Sequence, residues 1–570
     1  MDIQRVLLWA GLAVVSYLLV LAWNEDYHQP TQRQAPTEQI SPIDQTASEF
    51  EAPDLADQRP VAIDSEEFAT PEDRSQSSVS AVAATTDVSD KLVRVRTDVF
   101  DITIDRVGGN LISAYLLQYN QSLNSSEPLA LLQNNEFHTY VLESGLIGRD
   151  GFDSSRNGPT PVYETSSNAF VLGDNDNELV VDLVFTSDTG VTVTKRYTFE
   201  RDSYEIGVRF IIDNRSDTPW QGNFSGKIVR DSTGDPTSQN TMGFGAYLGM
   251  VLSTPDDPYE KFDFRDLGRS PINQTVQGGW LAFLQHYFIS AWVPDPNQTH
   301  QYQTTQRGGL HVMGFVSPAT VVQPGEVMEA GATAYVGPKI IDRLKPLAPN
   351  LHRTVDFGFL FFIALPLFII LDWFHSIVGN WGVAIILLTV LVKAVFFHLS
   401  ATSYRSMAKM RAVAPQLQRL RELHGDDRQR MSQEMMALYK REKINPLGGC
   451  LPILVQMPVF IALYWVLFES VQLRHAPFFL WIHDLSVMDP YFILPILMGI
   501  SMFIQMSLNP TPPDPVQAKV MKMMPFIFTI FFLWFPAGLV LYWLVNNILS
   551  IGQQWYITRK IEAEMAAKKR

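Results

Sequence analysis

Five apolar runs crowd the last two fifths of this chain, at roughly 381–399, 447–468, 490–508, 521–535 and 537–556. Each approaches the roughly 20 residues that carry a helix across a hydrocarbon core of ~30 Å. Lipid offers no partner to a free N–H or C=O, so runs of continuous rather than alternating apolarity leave helices as the workable conformation. The last two runs are separated only by Phe535-Pro-Ala-Gly538, room for a tight turn and no more.

The first three fifths differ. Residues 6–23 are apolar and follow Arg5, but they end Val20-Leu-Ala-Trp-Asn-Glu, without the small-residue pattern of a cleavage site. They read as an uncleaved signal anchor, 1–23, with a cytoplasmic N-terminus. Residues 24–90 are rich in Gln, Pro, Ser, Thr, Asp and Glu and cannot bury enough surface to offset ordering, so they read as a flexible tether. From 91 to 345, short alternating runs recur, among them Leu92–Arg96, Phe100-Asp-Ile-Thr-Ile104, 179–185, 191–195 and 206–212, punctuated by Gly, Asn and Asp. Period-two alternation between turn signals predicts antiparallel strands, enough of them for a large β-sandwich. The aromatic run from Trp280 to Trp292 admits a ligand groove but reads better as core.

Residues 356–376 are aromatic and interrupted by Pro366, and the next run starts at once after Gly379-Asn-Trp381. Two spans would have almost no turn between them, so this segment is expected to be an interfacial helix, with a full span as the alternative. The loop 401–446 carries ten Lys and Arg residues, from Arg405 to Lys443. Lys519, Lys522 and the Lys568-Lys-Arg570 tail fall on the same face if spans alternate, and the positive-inside rule makes that face cytoplasmic. The expected fold is thus a polytopic α-helical membrane protein of six transmembrane helices, both termini inside, with an all-β sandwich outside. In a two-membrane bacterium, outside is the periplasm. Met410, Val413, Leu417 and Leu420, then Met431, Met435, Leu438 and Tyr439, recur at helical spacing around Gly425-Asp-Asp427, which predicts a helical hairpin suited to docking a ribosome, a translocation partner or an incoming chain.

Lys393 is the anomaly within the spans. It lies about 18 Å along a helix from Trp381 at 1.5 Å per residue, in the cytoplasmic half of the core. A lysine at membrane depth costs roughly 2.5–3.5 kcal/mol on insertion scales. Snorkelling to the inner interface would relieve part of that cost. However, Thr389 lies one turn earlier on the same face, Gln456, Gln505, Asn546 and Asn547 sit at membrane depth in other runs, and those runs hold no acid. Together they point to a water-filled groove lined by polar groups.

Other chemistries find less support. The net charge of −15 comes mostly from the soluble part and argues against that part binding nucleic acid. Cys450 is the only cysteine, so no intramolecular disulfide forms. No His/Asp/Glu spacing suggests a metal, no nucleophile motif appears, and no cofactor is implied. A membrane protease would need paired Asp or Ser/His within spans. A secondary transporter or channel is the alternative function, though Glu469, at the outer end of its span, is the only nearby acid for a proton relay. A second rival makes the β domain the working part, as a binding module for folding proteins.

Asn380-Trp-Gly382, Met407-Ala-Lys-Met410, Gln433-Glu-Met-Met-Ala-Leu-Tyr-Lys440, Asn445-Pro-Leu-Gly-Gly-Cys450, Gln456-Met-Pro458, Trp481-Ile-His-Asp-Leu485 and Phe531-Phe-Leu-Trp-Phe-Pro-Ala-Gly-Leu-Val-Leu-Tyr-Trp543 resemble the YidC family of membrane protein insertases in order and spacing over 346–570. The anchor and outer β domain resemble its Gram-negative branch. The resemblance implies a non-enzymatic insertase and chaperone of the inner membrane that works alone or beside the Sec translocon on nascent membrane proteins. It also implies a groove open to cytoplasm and lipid with one positive charge. Many members carry arginine at the position of Lys393. Thr389, Gln456 and Asn546 match groove positions; Met457, Pro458 and Tyr542 match positions that contact the nascent chain. Trp543 stands where a second tyrosine is frequent.

Overall fold

The computed structural model describes residues 91–238, 245–424, 427–442, 451–509 and 515–569. The expected anchor and tether and the Asn445–Cys450 motif lie outside them.

Eighteen strands among the described residues build two sheets. The ten-stranded sheet runs from Asn273–Gln277 at one edge to Ala169–Val171 at the other; the eight-stranded sheet runs from Glu260–Phe262 to Glu178–Thr186. Pairing is antiparallel except where Ala169–Val171 runs parallel to Leu92–Arg96. The alternation of the sequence becomes the alternation of burial: in Val191–Glu200 the side chains of Val191, Val193, Lys195, Tyr197 and Phe199 all point inward. Lys195 occupies an apolar register position, and its cost is offset by donation from Nζ to the carbonyls of Gly108 at 2.9 Å and Ser144 at 2.7 Å.

The aromatic run is core. Gly278 and Gly279, both at positive φ, turn the chain into Trp280–Leu284, which is buried throughout. Trp280 and Trp292 keep their indole N–H groups satisfied on the carbonyls of Pro349 and Lys227, at 2.8 and 3.0 Å. A Cβ at residue 279 would stand 2.5 Å from the Ser253 carbonyl, so only glycine fits this entrance to the strand.

After the short helix Ile341–Leu347, nine further helices follow among the described residues: α1 Phe361–Val378, α2 Trp381–Val395, α3 Phe397–Ala412, α4 Ala414–His424, α5 Arg428–Arg441, α6 Leu451–Glu469, α7 Ile493–Ser507, α8 Pro515–Phe532 and α9 Ala537–Lys569. Gly379 ends α1 in the left-handed conformation, its N–H donating to the His375 carbonyl, and the Asn380 side chain caps α2 through the Val383 N–H at 3.1 Å. Two adjacent residues thus make the whole turn, as left-handed C-caps and Asn N-caps permit. The start of α1 lies against Trp465, and its end lies against the Pro477 and Phe478 carbonyls, both reached by Asn380 Nδ2 at 3.4 Å. Both ends of α1 are therefore met around the end of α6. The starts of α2 and α9 meet the same region: a Cβ on Gly382 would strike Phe478, and the Gly538 N–H donates to the Leu485 carbonyl at 2.9 Å.

Among the described residues, one stretch, 358–378, has by itself the length and apolarity of a crossing helix. The expected run 381–399 is divided at Phe396, where α2 and α3 meet at 66°. Beyond the bend, Met410, Val413, Leu417, Met435 and Tyr439 gather into one small cluster that packs α4 against α5.

Candidate functional site, a polar seam between three helices

Lys393 faces α9. Its ammonium donates to Ser550 Oγ at 2.7 Å, and that hydroxyl in turn donates to the Asn546 carbonyl at 2.7 Å. The lysine is half-buried, and among the described residues it is paired with no carboxylate. Thr389 and Asn546 each lie one turn earlier on their own helices, and the two helices start side by side. The line therefore continues away from the lysine. One further turn along α9, the Tyr542 hydroxyl accepts from Gln456 Nε2 of α6. Tyr542, Asn546, Ser550 and Gln554 recur every fourth residue, which puts them on one face of α9 over about 18 Å.

The residues expected to line a groove are mostly covered by their neighbours. Thr389, Tyr542 and Asn546 are buried; Lys393, Gln456, Pro458 and Trp543 are half-buried. Met457 is the most open of the expected contact residues, at 40% exposed. Thr389 spends its hydroxyl on the Ile385 carbonyl at 2.7 Å, which satisfies a buried O–H within its own helix. Trp543 packs edge-on to Phe460, ring centroids 4.5 Å apart. Three buried polar atoms in the seam have no partner among the described residues: Asn546 Oδ1, Gln554 Oε1 and Trp543 Nε1.

Of the other polar residues expected at this depth, Asn547 faces away from the lysine and donates to Ser501 Oγ of α7 at 3.0 Å. It ties two helices together, as polar side chains between membrane helices do. Ser550 and Gln554 escaped the sequence reading, although their spacing of four from Asn546 carried the signal. Among the described residues no cluster of His, Cys, Asp and Glu could hold a metal.

Residues 92–370 match the sequence model of the family described as YidC periplasmic domain, and residues 373–564 match that of the 60Kd inner membrane protein. The membrane protein insertase YidC of Marinobacter nauticus is 69% identical over 573 residues, with 100% of both chains covered. Its counterpart in Hahella chejuensis is 58% identical over 574 residues, again with 100% coverage of both. That of Pseudomonas aeruginosa is 51% identical over 586 residues, covering 99% of each. A solved structure described as an active YidC insertase with its first transmembrane domain resolved aligns at 16% identity and a TM-score of 0.37, over 82% of this chain and 92% of its own. The two matched segments assign the β-sandwich to the periplasm and the helical part to the inner membrane. With both segments in order and relatives that match it end to end, this chain belongs to the YidC family of membrane protein insertases.

Proposed function

We propose that the Lys393 seam is the route by which this insertase and chaperone passes nascent membrane proteins from the cytoplasm into the bilayer. The observation that carries the reading is the lysine's company. A carboxylate partner would neutralise the charge; a serine hydroxyl leaves it able to attract an acid from a passing chain. An acidic tail that reaches Lys393 replaces a bond with one ionised partner by one in which donor and acceptor are both ionised, and so adds the attraction of opposite charges.

The partnerless Asn546 Oδ1 and Trp543 Nε1 support a route that admits water or peptide groups, since each such buried atom otherwise costs ~1–3 kcal/mol. The apolar segment of the substrate then leaves past Met457 and Pro458. Met457 offers an exposed, flexible thioether that suits many apolar sequences. Burial at about 25 cal/mol per Å² drives that last step.

The membrane arrangement belongs to the same reading. The anchor 1–23 and the runs of α2, α6, α7, α8 and α9 make six spans with both termini inside. The helix α1 lies along the outer surface, a placement supported by the meeting of both its ends with the region around the end of α6. The α4–α5 hairpin, with Arg419, Arg430, Lys440 and Arg441 on its surface, and the basic tail receive the ribosome, and the Sec translocon shares the larger substrates.

Photo-crosslinking from positions 389, 393, 457 and 542 to stalled nascent chains tests the route. Crosslinks from 393 and 457 are expected first, with 389 and 542 joining as the seam parts. Silence at all four, with strong crosslinks from the exposed Phe503 and Phe526 instead, would overturn it.

A further inference from the structure

The segment between α6 and α7 holds no helix longer than a single turn. Within it the chain reverses at 478–482. The Phe478 N–H donates to the Ile482 carbonyl at 2.9 Å, and the Ile482 N–H donates to the Phe479 carbonyl at 3.3 Å. Leu480 stands at the tip with φ of 60° and is 81% exposed. Glycine or asparagine adopts that backbone cheaply and is at home in water. A leucine is at a disadvantage on both counts, and Phe479 beside it is exposed as well.

The base of this turn is stiff. Trp481 Nε1 donates to Oδ1 of the fully buried Asp489 at 3.0 Å, and Asp489 Oδ2 accepts the Leu494 N–H at the start of α7 at 2.7 Å. The Leu485 carbonyl holds the start of α9. The turn also adjoins the end of α1 through Asn380, and there Trp373 and Ile377 are exposed in turn. The apolar tip is thus continuous with an apolar helix face, and both are presented by rigid neighbours.

We propose that Phe479 and Leu480 form a wedge set among the acyl chains of the outer leaflet. The proposal rests on α1 lying along the outer membrane surface. Lipid is the occupant because the tip extends a face that such a helix turns to lipid, and because it carries no charge of its own. Since the same segment holds the starts of α7 and α9, a wedge of fixed depth also fixes the depth of the seam below it.

The test uses the full-length protein with Cys450→Ser and single cysteines at 480, 377 or 137, each carrying an environment-sensitive fluorophore. Phe137 is an exposed site on the sandwich. The vesicles contain phosphatidylethanolamine and phosphatidylglycerol with brominated acyl chains. Labels at 480 and 377 are expected to lose most of their emission to brominated lipid. The label at 137 is expected to lose its emission to aqueous iodide only. Iodide quenching at 480 with lipid quenching at 377 overturns the wedge and leaves the α1 reading standing; iodide quenching at both overturns both. A label at 480 shielded from both quenchers means protein covers the tip, which also overturns the wedge. In Leu480→Gly the melting temperature is expected to hold or rise as the backbone relaxes, while lipid quenching of a label at 479 falls. Unchanged quenching at 479 would remove Leu480 from the contact.

Discussion

Lys339 and Glu469, 130 residues apart in the chain, form an ion pair with Nζ 2.8 Å from Oε2, and each side chain is only 3% exposed. Lys339 follows the last strand of the sandwich and Glu469 ends α6, so the pair ties the periplasmic domain to a helix that lines the seam. Glu469, the acid at the end of α6, is therefore held by a lysine, which fits a structural tie better than a proton relay. Removal of one partner strands a buried charge. Lys339→Met or Glu469→Leu is expected to cost about 3–5 kcal/mol, whereas the double substitution recovers most of that loss. Thermal unfolding of detergent-purified protein measures it; equal losses in the single and double variants would refute the pairing argument.

The same junction predicts a pH dependence. His286 Nε2 donates to the Phe468 carbonyl at 2.9 Å, and the imidazole stacks on Tyr287 with centroids 3.8 Å apart. Burial, and then the nearby charge of Lys339, pushes its pKa down to about 3. The unfolded chain takes up a proton near pH 6.5 while the folded one does not. The contribution of a neutral His286 is thus complete above about pH 6.5 and is lost as pH falls toward about 3. His286→Gln keeps a donor without the titration. Its melting temperature is expected to fall less than that of the parent between about pH 7 and about pH 5. Parallel falls would show that this histidine does not set the acid sensitivity.

How much of this was legible follows from how local each signal is. Strand positions were readable because alternation is a property of neighbours, and Val191–Glu200 shows it side chain by side chain. Lys393 was readable as an energetic anomaly. Its partner was not singled out, because a serine in an apolar run is unremarkable until its spacing of four from Asn546 is followed. The bend at Phe396 left no mark, since Val395-Phe-Phe397 contains neither proline nor glycine. The turn at Gly379-Asn380 is too short for an ordinary loop between two helices; two complementary caps explain how a helix can end and another begin there. The Lys339–Glu469 pair was invisible for a simpler reason: no periodicity links residues brought together only by the docking of the sandwich.

Ser550→Ala probes how firmly the lysine is held. The hydroxyl accepts from Lys393 and donates within α9, and a bond to a charged group contributes ~1.5–3 kcal/mol. The variant is expected to lose unfolding free energy in that range and to react faster at Lys393 with an amine-specific reagent. An unchanged labelling rate would mean that the serine does not restrain the ammonium.

The charge itself is tested by what replaces it. Lys393→Arg keeps the positive charge and exchanges a point charge for a planar fork, so insertion is expected to continue near the parental rate. Lys393→Glu turns attraction into repulsion. Two unit charges 4 Å apart interact by ~4 kcal/mol at the effective dielectric typical of a protein surface. Realising only a third of that would slow insertion of a substrate with an acidic outer tail about tenfold, because ~1.4 kcal/mol is a factor of ten. A matched substrate with asparagine in place of each tail aspartate should be slowed far less, since it gains little from the charge in either form. The comparison is best made in proteoliposomes, with the two substrates in the same reaction. If Lys393→Glu slows both substrates equally, the lysine acts through packing or hydration of the seam, and electrostatic attraction of the tail has no part in the mechanism.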